Sequence, residues 1–442
     1  MQKLCVGFDY DKVGVYSILR VAGNSVVAFP VSEELCILLL MAIYSHIIAE
    51  VPVPLWGLSS RERYRRMLKH AGVTAIVDDL CSVEPGDSVL IVRGDYLFDA
   101  RVLHSLAKSV NVMLEAAAGP FRVVVAAHVP ANLAKQASAI LSGEGTPDTL
   151  PGVRVQKFED RLSSFDESLR KWEPPFVEPI RPDTQHALEE CLFSSSYKGV
   201  TDLVTKWLWP APARWATRLC VAASVKPNHV TMISAVLVFV VGTLFAKGIY
   251  GWGLLAGWIM TFLDTVDGKL ARVTVMSTRL GHFLDKSLDL VHPPLWYLLW
   301  GVGLESFHPG VPSLTLRVTI WVIFIGYIAG RMIEGTFQHG LGNFGIFCWR
   351  PFDSYFRLIT ARRNPNLILL TMSLFSNRPD LGLMAVAAWT VLSTLLLLVR
   401  LGFALRTRVI SGPLCSWLAQ VNERTVDDTL AARLFTHRSP AR

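Results

Sequence analysis

Past residue 229 the chain returns repeatedly to apolar runs of membrane length, and four aspartates lie against two of them. Asp264 and Asp267, spaced i,i+3, follow GWGLLAGWIMTFL; Asp285 and Asp289, spaced i,i+4, precede LVHPPLWYLLWGVGL. On a helix either spacing places the pair on one face. Carboxylates beside hydrocarbon-spanning helices are costly unless something neutralises them. Hard divalent cations take carboxylate oxygens, so a metal cluster is the simplest neutraliser. The fold this demands is a helical bundle that gathers acids from two spans at one membrane face.

Small and basic residues stand between the pairs. Gly268 and Gly281 let a helix or a ligand approach the backbone. Ala271 lies one helical period past the first pair, where a larger side chain would fill the same face, and Arg272 offers a cation for a phosphate oxygen. Read alone, Arg272 has a second, lesser reading as a snorkelling residue at a membrane edge.

The whole stretch reads D-x2-D-G-x2-A-R-x8-G-x3-D-x3-D, and at all eight fixed positions it resembles the signature of the CDP-alcohol phosphotransferase family of integral membrane enzymes. The resemblance implies that Asp264, Asp267 and Asp285 hold two divalent ions, Mg2+ or Mn2+, and that Asp289 is the general base. It implies that Gly268, Ala271, Arg272 and Gly281 line the nucleotide. Pro227-Asn228 with Thr231, in KPNHVTMIS, is similar to the stretch that opens the family's first membrane helix and joins the nucleotide pocket. By residue type Asn228 also suits a helix cap. The implied reaction moves a substituted phosphate from a CDP-alcohol, such as CDP-diacylglycerol, to the hydroxyl of an alcohol or polyol phosphate, releasing CMP. Homodimerisation is implied too.

Two other readings explain less. A cation-coupled transporter would use the same acids, but it predicts matching broken helices, which the hydropathy lacks, and leaves Gly268, Ala271 and Gly281 unexplained. An inactive membrane scaffold would not need all four carboxylates.

The chain has 442 residues, 51% of them hydrophobic, with a formal net charge of +7. Mean hydropathy is +0.38, which fits a chain about half in membrane. Cationic loops beside apolar helices suit anionic headgroups, and no basic-aromatic pattern points to nucleic acid. Seven scattered cysteines form no CxxC or Cys/His metal spacing and read as reduced thiols. MQKLCVGFDYDKVG lacks the pattern of a cleaved signal, so the first domain is expected in the cytosol.

Residues 1–150 read as a soluble α/β domain. KLCVGFD, NSVVAFPV, VTAIVDD, DSVLIVRGD and FRVVVAAHV predict strands; SEELCILLLMAIYSHIIAE and SSRERYRRMLKHAG predict helices. WGLSSRERYRRMLKHAGV followed by VLIVRGDYLFD is similar to a three-layer sugar-phosphate nucleotidyltransferase domain. The first strands lack the Gly-rich phosphate loop such a domain needs, so it is expected to be degenerate. Asp95 reads as a strand-end turn acid beside Gly94.

Residues 151–183 read as a linker and 184–228 as amphipathic interfacial helices. Residues 229–406 form an all-α domain of six transmembrane helices, at 230–246, 250–271, 281–304, 315–333, 367–377 and 381–405, and 407–442 a polar tail. Basic residues concentrate before span one, in the loops after spans two and four, and after span six. The positive-inside rule then puts both termini and the four acids on the cytosolic side of a cytoplasmic membrane. In the loop after span four and at its edge, Arg331, Arg350 and Arg357 are candidates for an acceptor phosphate. His282 and His339 read as structural.

Overall fold

The computed structural model describes residues 5–6, 16–20, 26–30, 42–277, 279–307, 310, 312–422 and 429–436. They fall into two compact units: residues 1–50 with 67–161, and 51–66 with 162–442.

In the first unit Cys5–Val6 (β1), Tyr16–Arg20 (β2) and Val26–Pro30 (β3) pair antiparallel. A second sheet has six strands. Ile43–Ile48 (β4), Ala75–Ile76 (β5) and Ser88–Arg93 (β6) pair parallel. After β6 the chain turns through Gly94 into Tyr96–Phe98 (β7). Val112–Ala118 (β8) and Phe121–Pro130 (β9) pair antiparallel, and Arg154–Lys157 (β10) runs parallel to β8, giving the order β10-β8-β9-β6-β4-β5.

Strand β6 is buried on both faces, as the continuous VLIV run requires. Val89 and Ile91 pack with Ala134, Ala137 and Ile140 of the helix Ala134–Leu141. On the other face His128 lies 3.0 Å from both Ser88 Oγ and the Leu106 carbonyl, the latter in the helix Ala100–Ala107. Gly94 sits where a Cβ would meet Ile48 O and Glu50 Cα at 3.2 Å. Asp95 is held by Arg93 at 2.6 Å.

One expectation fails here. IYSHII was read as the end of a helix and is strand β4; residues 32–41 of that reading lie outside the described residues. Three β-branched isoleucines and a parallel partner on each side outweigh the helical period.

With the helix Ser60–His70 as α1 and the two just named as α2 and α3, the second unit is mainly helical. Gln185–Ser195 (α4) and Pro210–Ala222 (α5) precede Pro227–Ala246 (α6), Tyr250–Val273 (α7), Arg279–Phe307 (α8), Ser313–Thr336 (α9), Pro351–Ile359 (α10), Arg363–Phe375 (α11) and Pro379–Ser411 (α12). Among the described residues three helices are long and apolar enough to cross a membrane: Pro227–Ala246, Ser313–Gly342 and Pro379–Ser411. At 13 residues, α11 is shorter than the roughly 20 a spanning helix needs.

Helices α6, α7 and α8 pack together, and α9 packs on α12. Their core holds Phe245, Tyr250, Trp296 and Trp300, with the Trp296 indole N–H donating to Val238 O at 3.0 Å and that of Trp300 to Pro379 O at 3.0 Å. Gly303 admits the end of α6; a Cβ there would lie 2.1 Å from Phe245 O.

A second core gathers Phe337, Phe347, Trp349 and Phe356. The stretch read as a polar tail contributes to it: Leu414, Trp417, Leu418 and Phe435 are buried there, on Trp417–Gln420 (α13), on Leu430–Phe435 (α14) and before them. Its polar average hid apolar residues set at single positions.

Candidate active site

Both aspartate pairs lie on long helices, the first near the end of α7 and the second near the start of α8. The side chain of Asp285 lies outside the described residues, as does that of His282. Asp267 is buried, and its Oδ2 accepts from the Thr231 hydroxyl of α6 at 2.7 Å. Two residues singled out from separate motifs thus meet. Asn228 does not cap α6: Lys226 is the N-cap and Pro227 takes the first helical position, which its fixed φ suits.

Asp264 and Asp289 are joined by one cation. Arg363 donates from Nη2 to Asp264 Oδ2 at 2.5 Å and from Nη1 to Asp289 Oδ1 at 2.7 Å. Flanking asparagines pin the first turn of α11 that carries it. Asn364 Nδ2 donates to Asp202 Oδ1 at 2.9 Å, and Asn366 Nδ2 to the Tyr297 hydroxyl of α8 at 2.9 Å. Burial opposes the charge on Asp202, but Arg357 and hydrogen bonds from Asn364 and Thr205 outweigh it and hold the carboxyl below its usual range.

Asp289 is set by its backbone as well. Pro293 and Pro294 lie inside α8 and lack the N–H groups that would bond Asp289 O and Leu290 O. The Tyr327 hydroxyl of α9 lies 3.3 Å from the first carbonyl and 3.0 Å from the second.

On the other side of α7, Lys269 and Arg272 both donate to Ser196 O, at 3.1 and 2.8 Å. The Lys269 ammonium also lies 3.2 Å from the Tyr197 ring centroid. Lys198 follows in the same loop and senses the charges of Arg272, Arg170, Asp289 and Arg357. Its surface reaches solvent, yet the surrounding protein is dense enough that desolvation leads, followed by the arginines, in pushing its ammonium down to about 8.

Of the three candidate acceptor arginines, Arg331 and Arg357 belong to one charge cluster with Glu334 and Arg362. Arg357 stacks on Phe347 at 5.6 Å, and among the described residues its buried Nε and Nη1 have no hydrogen-bond partner. Arg350 belongs elsewhere: its backbone N–H donates to Asp353 Oδ2 at 3.0 Å, and Asp353 pairs with Arg400.

The described carboxylates fit a hard divalent ion. Asp264 already meets a cation, and at Gly268 an added Cβ would come no closer than 3.6 Å to any neighbour, an ordinary contact with the Arg272 guanidinium. Among the described residues no three metal-ligating side chains converge, with Asp285 outside that set. Sequence reasoning missed Arg363 and Lys198 as site residues, having counted both only as loop charges. No local pattern marks either one.

Residues 224–337 match the family model of the CDP-alcohol phosphatidyltransferases. Among curated proteins the chain is similar to a phosphatidylinositol phosphate synthase of Mycobacteroides abscessus, 32% identical over 116 residues, which are 25% of this chain and 51% of that protein. It is also similar to an uncharacterized CDP-alcohol phosphatidyltransferase class-I family protein of Dictyostelium discoideum, 27% identical over 115 residues, 26% of this chain and 28% of that one. The chain thus spans about half or less of the curated relatives it matches. Two solved structures of the Mycobacterium tuberculosis phosphatidylinositol phosphate synthase align over 43% of this chain. One, with CDP-DAG bound, is 19% identical with a TM-score of 0.32 and 92% of its length covered. The other, with manganese and citrate, is 21% identical with a TM-score of 0.34 and 88% covered. Over residues 224–337, the stretch that holds all four aspartates, this chain carries a CDP-alcohol phosphatidyltransferase domain.

Proposed function

We propose that the protein is a membrane transferase that moves a substituted phosphate from a CDP-linked donor, such as CDP-diacylglycerol, to the hydroxyl of an alcohol or polyol phosphate. The observation that carries this reading is the family match over the segment in which Asp264 and Asp289, from different helices, come to one guanidinium.

Asp264, Asp267 and Asp285 would hold divalent metal, Mg2+ or Mn2+, whose positive charge makes CMP a better leaving group. Gly268, Ala271, Arg272 and Gly281, with Asn228 and Thr231, face the nucleotide. Asp289 takes the proton of the acceptor hydroxyl as its oxygen bonds to phosphorus, and the bond from phosphorus to the CMP oxygen breaks. Arg331, Arg357 and Lys198 supply positive charge for an acceptor phosphate, and Arg350, whose guanidinium lies over the Trp349 ring, is a further candidate. A polyol phosphate is favoured because the orphaned guanidinium nitrogens of Arg357 are the kind of donor a phosphate satisfies.

In this reading six helices traverse a cytoplasmic membrane, with both termini and the acids at the cytosolic face, and the protein is a homodimer. The first unit is a nucleotidyltransferase-like domain without transferase activity of its own.

Purified full-length protein in lipid nanodiscs with Mn2+ tests the proposal. CMP should appear from CDP-diacylglycerol only when an acceptor is added, fastest with inositol phosphate or glycerol phosphate in a panel with inositol, serine and choline. No CMP from any pairing sinks it.

A further inference from the structure

The turn between the two acid pairs is held by residues from outside the matched domain. Helix α7 ends in a pattern that normally uses glycine. The Val275 N–H donates to Arg272 O at 3.3 Å and the Met276 N–H to Ala271 O at 2.8 Å, which places Val275 one position past the cap. Val275 has φ of 50°, in the left-handed region, where a β-branched side chain is strained. Such strain persists only when the surroundings over-determine it, and it gathers at functional sites.

The surroundings here are two arginines of α1. The reverse turn leaves the carbonyls of Val273 and Thr274 over. Arg63 Nη1 donates to Val273 O at 3.0 Å, and Arg66 Nη1 to Thr274 O at 2.7 Å. Arg63 is buried and anchored by a second bond, from Nη2 to Leu55 O at 2.7 Å. Arg66 is oriented by Glu62 at 2.7 Å. Both arginines lie in residues 51–66, which cluster with residues 162–442 although the sequence on either side belongs to the first unit. A buried arginine is expensive to place, and here Arg63 and Arg66 meet one each of the two carbonyls that the turn leaves over.

We propose that Arg63 and Arg66 are positioning residues for the transfer reaction. They lock the strained turn at Val275 and so fix Ala271 and Arg272, whose carbonyls close that turn, against the nucleotide. The proposal rests on the functional reading above only in placing Ala271 and Arg272 at the nucleotide.

Full-length Arg66→Met, Arg66→Lys and Arg66→Met/Val275→Gly proteins in nanodiscs test it; Arg66 is chosen because it is less buried than Arg63. Two quantities are read: amide hydrogen exchange over residues 271–276, and CDP affinity in Mn2+ by calorimetry. Losing one hydrogen bond from a charged donor should speed exchange about tenfold and weaken CDP binding about tenfold in Arg66→Met. Arg66→Lys, which keeps a donor, should recover most of both. The double variant should recover too, because glycine adopts the left-handed backbone without the brace. Unchanged exchange in Arg66→Met overturns the brace. Faster exchange with unaltered CDP affinity, or a CDP deficit that neither lysine nor glycine repairs, overturns the positioning role. CMP release by the unaltered protein reports separately on the functional reading, since the exchange measurement does not depend on it.

Discussion

Arg363→Gln separates the two charged partners most directly. The guanidinium makes two charge-assisted bonds, at 2.5 Å to Asp264 and 2.7 Å to Asp289. Such bonds contribute about 1.5–3 kcal/mol each where the partners are shielded. Arg363 and Asp264 are 16% and 19% exposed, so that bond counts nearly in full; Asp289 is 49% exposed, and its bond is worth at most about 1 kcal/mol. Without metal, Arg363→Gln should therefore lose about 2–4 kcal/mol. A divalent ion on Asp264 must compete with the guanidinium in the unaltered protein and has no such competitor in the variant. Each 1.4 kcal/mol of relieved competition is about tenfold in affinity, so Mn2+ should bind about 10- to 100-fold more tightly to Arg363→Gln. Calorimetric titration with Mn2+ in nanodiscs, without nucleotide, reads this, and melting temperature with and without Mn2+ reads the stability. Mn2+ affinity equal to or weaker than that of the unaltered protein would refute the competition.

Other consequences follow from the same geometry. Lys198, titrating near 8, should lose its charge above that pH, so the KM for a phosphate-bearing acceptor should rise through pH 8 and the rise should vanish in Lys198→Met. Its pKa is depressed from 10.5, so between about pH 8 and 10.5 the unfolded chain binds more protons and the penalty this group places on the folded state is relieved as pH rises; weaker binding would not reflect unfolding. Tyr327→Phe removes the hydroxyl from the Asp289 and Leu290 carbonyls, at a cost of about 1–3 kcal/mol, and should lower kcat for CMP release more than it raises donor KM. Phe435→Ala empties a fully buried position beside Trp417 and Tyr355 and should cost about 3–5 kcal/mol in thermal unfolding; a change under about 1 kcal/mol would show that the C-terminal stretch does not pack there.

Much of the helical unit was legible because membrane-length apolar runs have few alternatives: the spans read at 230–246, 315–333 and 381–405 lie inside Pro227–Ala246, Ser313–Gly342 and Pro379–Ser411. The acidic spacing was legible for a related reason, since i,i+3 and i,i+4 fix a face whatever the tertiary contacts are. What stayed hidden came from distance along the chain. Arg363 reaches Asp289 across 74 residues, and Arg63 reaches Val273 across 210. Charge counting treats such arginines as interchangeable with any other loop cation. Strand β4 was hidden because its apolar run is short, and only its sheet partners decide between helix and strand.

The central claim, that this acidic site performs phosphoryl-group transfer from a CDP-linked lipid with Asp289 as base, meets its most direct test in Asp289→Asn. Bound CDP-diacylglycerol and released CMP are to be quantified on one nanodisc sample in Mn2+ with the preferred acceptor. Donor binding should stay within about threefold of the unaltered protein while CMP release falls by about 10²–10⁴-fold, the usual worth of a general base. CMP release at the unaltered rate would contradict the account.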